Sequence, residues 1–201
     1  VIDAIVLAAG LATRMGEIKP LTTVGGEPAL SRILRRIRTA GIARPIVVLG
    51  SGSAGRIEEA VDLTACAVVM NSAPEAGMSR SLRLGLDAVS PGAAGVLVFH
   101  ADMPFIQPET VRTVLGTAER GARIVAPVHR GRRGFPVYFH RSCLSELQRS
   151  LAGDAGGRAY VEAHREELVP IDVEDPGCVY DIDRPADLAA WREDRACGTD
   201  A

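Results

Sequence analysis

The chain has 201 residues, 47% of them hydrophobic and 24% charged, with a formal net charge of −2. That length suits one domain with a sizeable core, and the slightly acidic balance excludes a protein built to grip nucleic acid or an anionic membrane, which needs a net basic surface. Any anionic ligand must then be held by local cations.

In chain order, a strand is predicted over residues 4–8. The apolar run 1–10 has no basic flank and is too short to cross a bilayer, so no signal peptide is read there and a cytoplasmic protein is expected. The strand runs into Ala8, Ala9 and Gly10, with Arg14 and Lys19 following on the same loop. Small residues let backbone amides approach a phosphate or a base closely, and the two cations complete a cradle for a triphosphate. The alternative is a glycine-rich turn with two solvated charges. Gly16 is followed by Glu17, so the loop is not a Walker A sequence.

A helix over 30–40 and a strand over 45–49 come next. Gly50, Gly52 and Gly55 then fit G-x-G-x-x-G ahead of a short helix over 54–61. A dinucleotide site expects an acid at the end of the following strand, and the strand over 66–71 ends in Asn71. Gly77, Ser79 and Ser81 open a helix over 78–88, where exposed amides and hydroxyls either grip a base or ribose or cap the helix.

The strand over 95–100 ends in His100-Ala101-Asp102-Met103-Pro104. The next helix, over 108–120, starts with Pro108 and Glu109 and stops at Gly121. Asp102 lies too far upstream to cap it, and a hard oxygen donor at that place suits Mg2+. After a strand over 123–127, Arg130, Arg132, Arg133 and Pro136 precede the run 137–139. This part reads as a late hairpin leaving the parallel layer, its basic run either attracting an anionic acceptor or forming a solvated tip.

Helices over 142–151 and 157–166 and strands over 168–171 and 179–182 follow. The last strand enters Asp181-Ile182-Asp183-Arg184-Pro185, where Asp183 either gives the same cation a second carboxylate or caps the helix over 185–194. Residues 1–194 read as one domain and 195–201 as a frayed tail. The alternation of strands and helices predicts an α/β fold, a mostly parallel sheet covered on both faces, with ligands beyond the carboxyl ends of the strands.

Cys66, Cys143, Cys178 and Cys197 form no C-x-x-C pair, and Cys66 and Cys178 lie in apolar runs as small core residues of a reducing compartment. The four histidines show no i, i+4 pairing, which leaves a zinc hydrolase without support.

From Ile5 to Trp191 these elements resemble the molybdenum cofactor nucleotidyltransferases, and within them the cytidylyltransferase branch. The pattern A-A-G-x-S-x-R-M-G-x-x-K is met at Ala8, Ala9, Gly10, Arg14, Met15, Gly16 and Lys19, with Ala12 where serine is usual. G-M-S-x-S-L is met from Gly77 to Leu82, D-x-P from Asp102 to Pro104 and D-I-D-x-P from Asp181 to Pro185. Ala101 stands where the family has glycine, and Phe135 replaces the histidine of its G-H-P.

The resemblance implies a three-layer α/β/α, Rossmann-like fold of the nucleotide-diphospho-sugar transferase type. It implies CTP as donor, because the guanylyl branch usually reads A-G-G where this chain has Ala8-Ala9-Gly10. The expected reaction is transfer of CMP to the terminal phosphate of molybdopterin with release of pyrophosphate. Asp102 and Asp183 would hold Mg2+; Ala8, Ala9, Gly10, Arg14, Lys19, Ser79, Ser81 and Asp102 would bind the nucleotide; Arg133 and Phe135 would face the acceptor. Arg14, Lys19 and Asp102 carry the chemistry in this reading, and a molybdenum hydroxylase is the implied downstream partner. GTP as donor, a sugar phosphate as acceptor, a non-catalytic cofactor carrier and an NAD(P)-dependent oxidoreductase are the alternatives.

Overall fold

The computed structural model describes residues 1–10, 18–183 and 185–196. Its elements are β1 (Ile2–Ala8), β2 (Thr23–Val24), β3 (Glu27–Pro28), α1 (Ala29–Thr39), β4 (Ile46–Gly50), α2 (Ala54–Ala60), β5 (Ala67–Asn71), α3 (Met78–Asp87), β6 (Gly95–His100), α4 (Pro108–Glu119), β7 (Ile124–His129), β8 (Arg132–Arg133), β9 (Val137–His140), α5 (Arg141–Ser150), α6 (Arg158–Ala163), β10 (Leu168–Asp172) and α7 (Pro185–Ala196).

The main sheet has the order β10-β7-β9-β6-β1-β4-β5, with β8 paired to β7 and β2-β3 forming a separate ribbon. Strands β6, β1, β4 and β5 run parallel, as do β7 and β10, while β9 is antiparallel to both β6 and β7. Side chains alternate across the sheet, which is what buries both faces. Ala4, Val6 and Ala8 of β1 join α1, α2 and α4 in one core, and Ile5 and Leu7 join α3, α5 and α6 in the other.

The register decides where ligands can sit. Ala8 lies opposite Leu49 and Leu7 opposite His100, so the loops after β1, β4 and β6 leave the sheet at one edge. In β9 Val137 pairs with Val98, which brings the residues just before it back to that same edge.

The strand predicted over 179–182 does not form: a 3-10 turn over Pro176–Val179 runs into its first residue, where the Asp175 carboxylate accepts the Gly177 amide and bends the chain, and the residues after it join no sheet. The segment after it runs beside the Asp102 loop with Ile182 N–H donating to the Asp102 carbonyl. The helix expected over 157–166 ends at Ala163, and a separate 3-10 turn covers Arg165–Glu167. Helix α7 continues to Ala196, and the rest of the segment expected as a tail lies outside the described residues. Among the described residues no helix is long and apolar enough to cross a membrane.

Candidate active site

At the carboxyl edge Ala8 and Ala9 are buried and Gly10 is exposed, with nothing within 4 Å of where a Cβ would stand. Arg14 lies outside the described residues. The chain returns through Ile18, which is packed in the core, into the 3-10 turn Lys19–Leu21. Leu21 N–H donates to Ile18 O at 2.7 Å and Thr22 N–H to Lys19 O at 3.0 Å. The backbone that carries Lys19 is therefore fixed on both sides.

The Lys19 ammonium donates to Asp183 Oδ1 and stands 3.6 Å from Asp102 Oδ2. Two carboxylates far apart in the chain thus converge on one cation. Burial works against the ammonium's charge, but the Asp183 hydrogen bond and the charges of Asp102 and Asp183 outweigh it and raise its pKa above the ordinary lysine value. Asp102 is held by its backbone: Ala101 N–H donates to Leu7 O, Met103 N–H to His100 O, and Asp102 O accepts from Ile182 N–H. The Ala101 methyl belongs to the core cluster. Asp183 N–H donates to Asp187 Oδ2 at 2.8 Å, so Asp187, inside the first turn of α7, fixes the approach of Asp183.

His100 closes one side. Its ring lies 4.3 Å from that of Phe135, tilted by 56°. Burial pushes the imidazole's pKa down from 6.5, against the pull of Asp102 and Asp181, so the ring is neutral at physiological pH. Phe135 reaches this place because Phe135 N–H donates to Cys178 O at 2.7 Å and Gly134 N–H to Pro127 O at 2.8 Å. A Cβ on Gly134 would come within 2.2 Å of Cys178 O, so only glycine fits there. Arg133, expected beside Phe135 at an acceptor, instead pairs with Glu162 of α6 at 3.0 Å. Arg130 and Arg132 are exposed on the hairpin tip.

Ser79 and Ser81, expected to bind the nucleotide, have both hydroxyls buried and hydrogen-bonded within the protein. Ser79 Oγ donates to Ala152 O at 2.9 Å and accepts from Gly156 N–H at 3.2 Å; Ser81 Oγ accepts from Asn71 Nδ2 at 2.9 Å. The first amides of α3 are taken as well: Met78 N–H by Asp154 Oδ1 and Ser79 N–H by Gly153 O. The loop 152–156 covers this helix end with its own polar atoms, and Gly77, at φ 93°, has Gly153 O only 2.6 Å from a would-be Cβ.

Asn71 is buried, its amide serving Ser81, Ala73 and Arg80. It does not provide the carboxylate that a dinucleotide site after Gly50–Gly55 would need. Sequence reasoning missed Asp154, Asp175 and Asp187, whose carboxylates all accept from backbone amides. The Gly153-Asp154-Ala155-Gly156-Gly157 run was the one local signal for the first. Among the described residues no group of three or more His, Cys, Asp or Glu side chains is gathered for a metal; the site offers the carboxylate pair.

Residues 4–168 match the MobA-like NTP transferase domain. The molybdenum cofactor guanylyltransferase of Nitrobacter hamburgensis is 32% identical over 76% of this chain and 73% of its own length. The bifunctional protein GlmU of Xanthobacter autotrophicus is 33% identical over 61% of the chain, which spans only 28% of that relative. The crystal structure of Rv0371c from Mycobacterium tuberculosis superposes with a TM-score of 0.82 at 29% identity, covering 96% of this chain and 97% of that one. The same mycobacterial protein has also been solved in complex with manganese.

Proposed function

This chain belongs to the MobA-like NTP transferase family and is a nucleotidyltransferase, and we propose that it transfers CMP from CTP to the terminal phosphate of molybdopterin. The observation that carries the proposal is the convergence of Asp102 and Asp183 on Lys19. An oxygen of the acceptor phosphate forms a bond to the α-phosphorus of CTP while the bond from that phosphorus to the β-phosphate bridge breaks, and pyrophosphate leaves with the electron pair. A phosphomonoester with a second pKa of about 6 is already mostly dianionic at neutral pH. No general base is needed, and the protein's part is alignment and charge neutralisation.

Lys19, with Arg14 on the same loop, neutralises the triphosphate and the departing pyrophosphate, while Ala8, Ala9 and Gly10 bring backbone amides to it. Asp102 and Asp183 are hard oxygen donors already gathered around a positive charge, which is the donor set a magnesium ion takes. The manganese complex of the mycobacterial relative supports a divalent ion. Such an ion supplies charge neutralisation at the phosphate oxygens. Phe135 and His100 form the apolar wall on the acceptor side. Cys66, Cys143 and Cys178 are buried free thiols, in keeping with a reducing setting; a molybdenum hydroxylase in the cytoplasm would use the product.

A second reading, GTP as donor, is favoured by the Nitrobacter relative's name, whereas Ala9 favours CTP. Isothermal titration with CTP and with GTP in the presence of Mg2+, followed by pyrophosphate release with molybdopterin or a sugar phosphate, separates them. Binding of GTP without CTP would reverse the donor assignment, and release with the sugar phosphate alone would reverse the acceptor.

A further inference from the structure

We propose that Lys19 makes binding of the divalent ion depend on the triphosphate. The inference rests on the reading of Asp102 and Asp183 as the ion's protein ligands, and it concerns what already sits between them. The ammonium donates to one oxygen of Asp183 and lies 3.6 Å from Asp102. A divalent ion joining this pair while Lys19 stays would meet like charge at contact distance. Lys19 has to yield its place first.

Lys19 is built to yield. Its backbone is pinned in the turn closed by the Ile18 and Lys19 carbonyls, with Ile18 and Pro20 buried on either side. Movement is therefore confined to the flexible four-carbon side chain. A triphosphate at this edge of the sheet offers the ammonium a second set of oxygens. Drawing Lys19 to the phosphates takes its positive charge from between Asp102 and Asp183, so the two ligands reinforce each other. Linkage makes this reciprocal: each raises the other's affinity by the same factor. A bare ion is discriminated against. Departure of pyrophosphate returns Lys19 to the carboxylates and loosens the ion in turn.

Manganese titration of the whole chain, followed by electron paramagnetic resonance, tests this without reference to turnover. Wild type, Lys19→Met, Lys19→Gln and Lys19→Arg are compared with and without α,β-methylene analogues of CTP and GTP, after correction for the analogue's own manganese complex. Without nucleotide, both neutral variants should bind manganese at least tenfold more tightly than wild type, and Lys19→Arg should not. An analogue should tighten manganese on wild type by at least threefold more than on the neutral variants, which keep the phosphate oxygens as ligands but have no ammonium to displace. Adding Asp102→Asn to Lys19→Met should remove the gain; a gain that survives places the ion elsewhere and overturns the proposal. Equal affinities for wild type and both neutral variants overturn the coupling while leaving the carboxylate site standing. No manganese binding by any protein with either analogue removes the ion site and the coupling together.

Discussion

Asp175 accepts a 2.7 Å hydrogen bond from the hydroxyl of Thr110, 65 residues away, inside the protein. The same carboxylate takes the Gln107 amide at 2.8 Å and the Gly177 amide at 2.9 Å. It thus caps the start of α4 from a distant turn and holds the 3-10 turn that places Cys178 O for Phe135. Replacing it with alanine leaves three donors without an acceptor in a place only 4% exposed. Hydrogen bonds to a charged group contribute roughly 1.5–3 kcal/mol each, but not additively. Asp175→Ala should cost about 3 kcal/mol in urea unfolding, and Asp175→Asn less, since one amide oxygen still accepts.

His164 makes stability depend on pH. Its Nδ1 lies 2.9 Å from Tyr160 O and its Nε2 3.4 Å from Glu146. The Tyr160 carbonyl first, then the acidic neighbours, raise its pKa above 6.5 against the effect of burial. The protonated form is favoured in the folded protein, so this contribution is whole below pH 6.5 and is lost as pH rises through the raised value. The urea midpoint should fall as pH rises above 6.5, and His164→Gln should flatten that slope.

Much of this was legible in the sequence. The apolar runs that became β1, β4, β5, β6, β7, β9 and β10 are short and β-branched, and α4 carried proline at its start and glycine beyond its end. Asp102 could be singled out because it falls where β6 has just ended, and Lys19 because it is a cation on the glycine-containing loop that follows β1. What escaped was long-range. The run 179–182 has strand composition, but among the described residues it joins no sheet, and Ile182 N–H donates to the Asp102 carbonyl. Ser79 was ambiguous between cap and ligand, and its true partners, Ala152 and Gly156, are more than 70 residues on. Arg133 read as a cation for a ligand because Glu162, its partner, lies far along the chain on α6.

Trp191 ties α7 to the catalytic edge. Its ring stacks on Phe105 at 4.0 Å and 14°, two residues after Met103 of the D-M-P turn, and it is 8% exposed. Since α7 starts just after Asp183, loosening it should free that carboxylate. Large-to-small replacement of a buried aromatic costs about 3–5 kcal/mol. Trp191→Ala should lower stability by about that much, read by circular dichroism because the only tryptophan is lost. It should also slow pyrophosphate release, and Trp191→Phe should keep most of both.

Asp102→Asn separates chemistry from folding. The carboxylate is about a quarter exposed, and its ion pair with Lys19 at 3.6 Å is one whose loss solvent screens. Its backbone is held by the Leu7 carbonyl, through Ala101, and by Ile182, contacts that asparagine keeps along with the side-chain volume. The thermal midpoint should therefore move by only a few degrees. Turnover is another matter, because a neutral amide is a poor ligand for a hard divalent ion. Removing one preorganised electrostatic contact to a developing charge typically costs about 100- to 1,000-fold. Pyrophosphate release by Asp102→Asn should drop by at least that factor at saturating nucleotide, and Asp102→Glu, which keeps the charge with a longer reach, should recover part of it. A variant that lost both activity and its cooperative melt would mean that Asp102 serves the fold; one that kept its rate would take the ion away from this carboxylate.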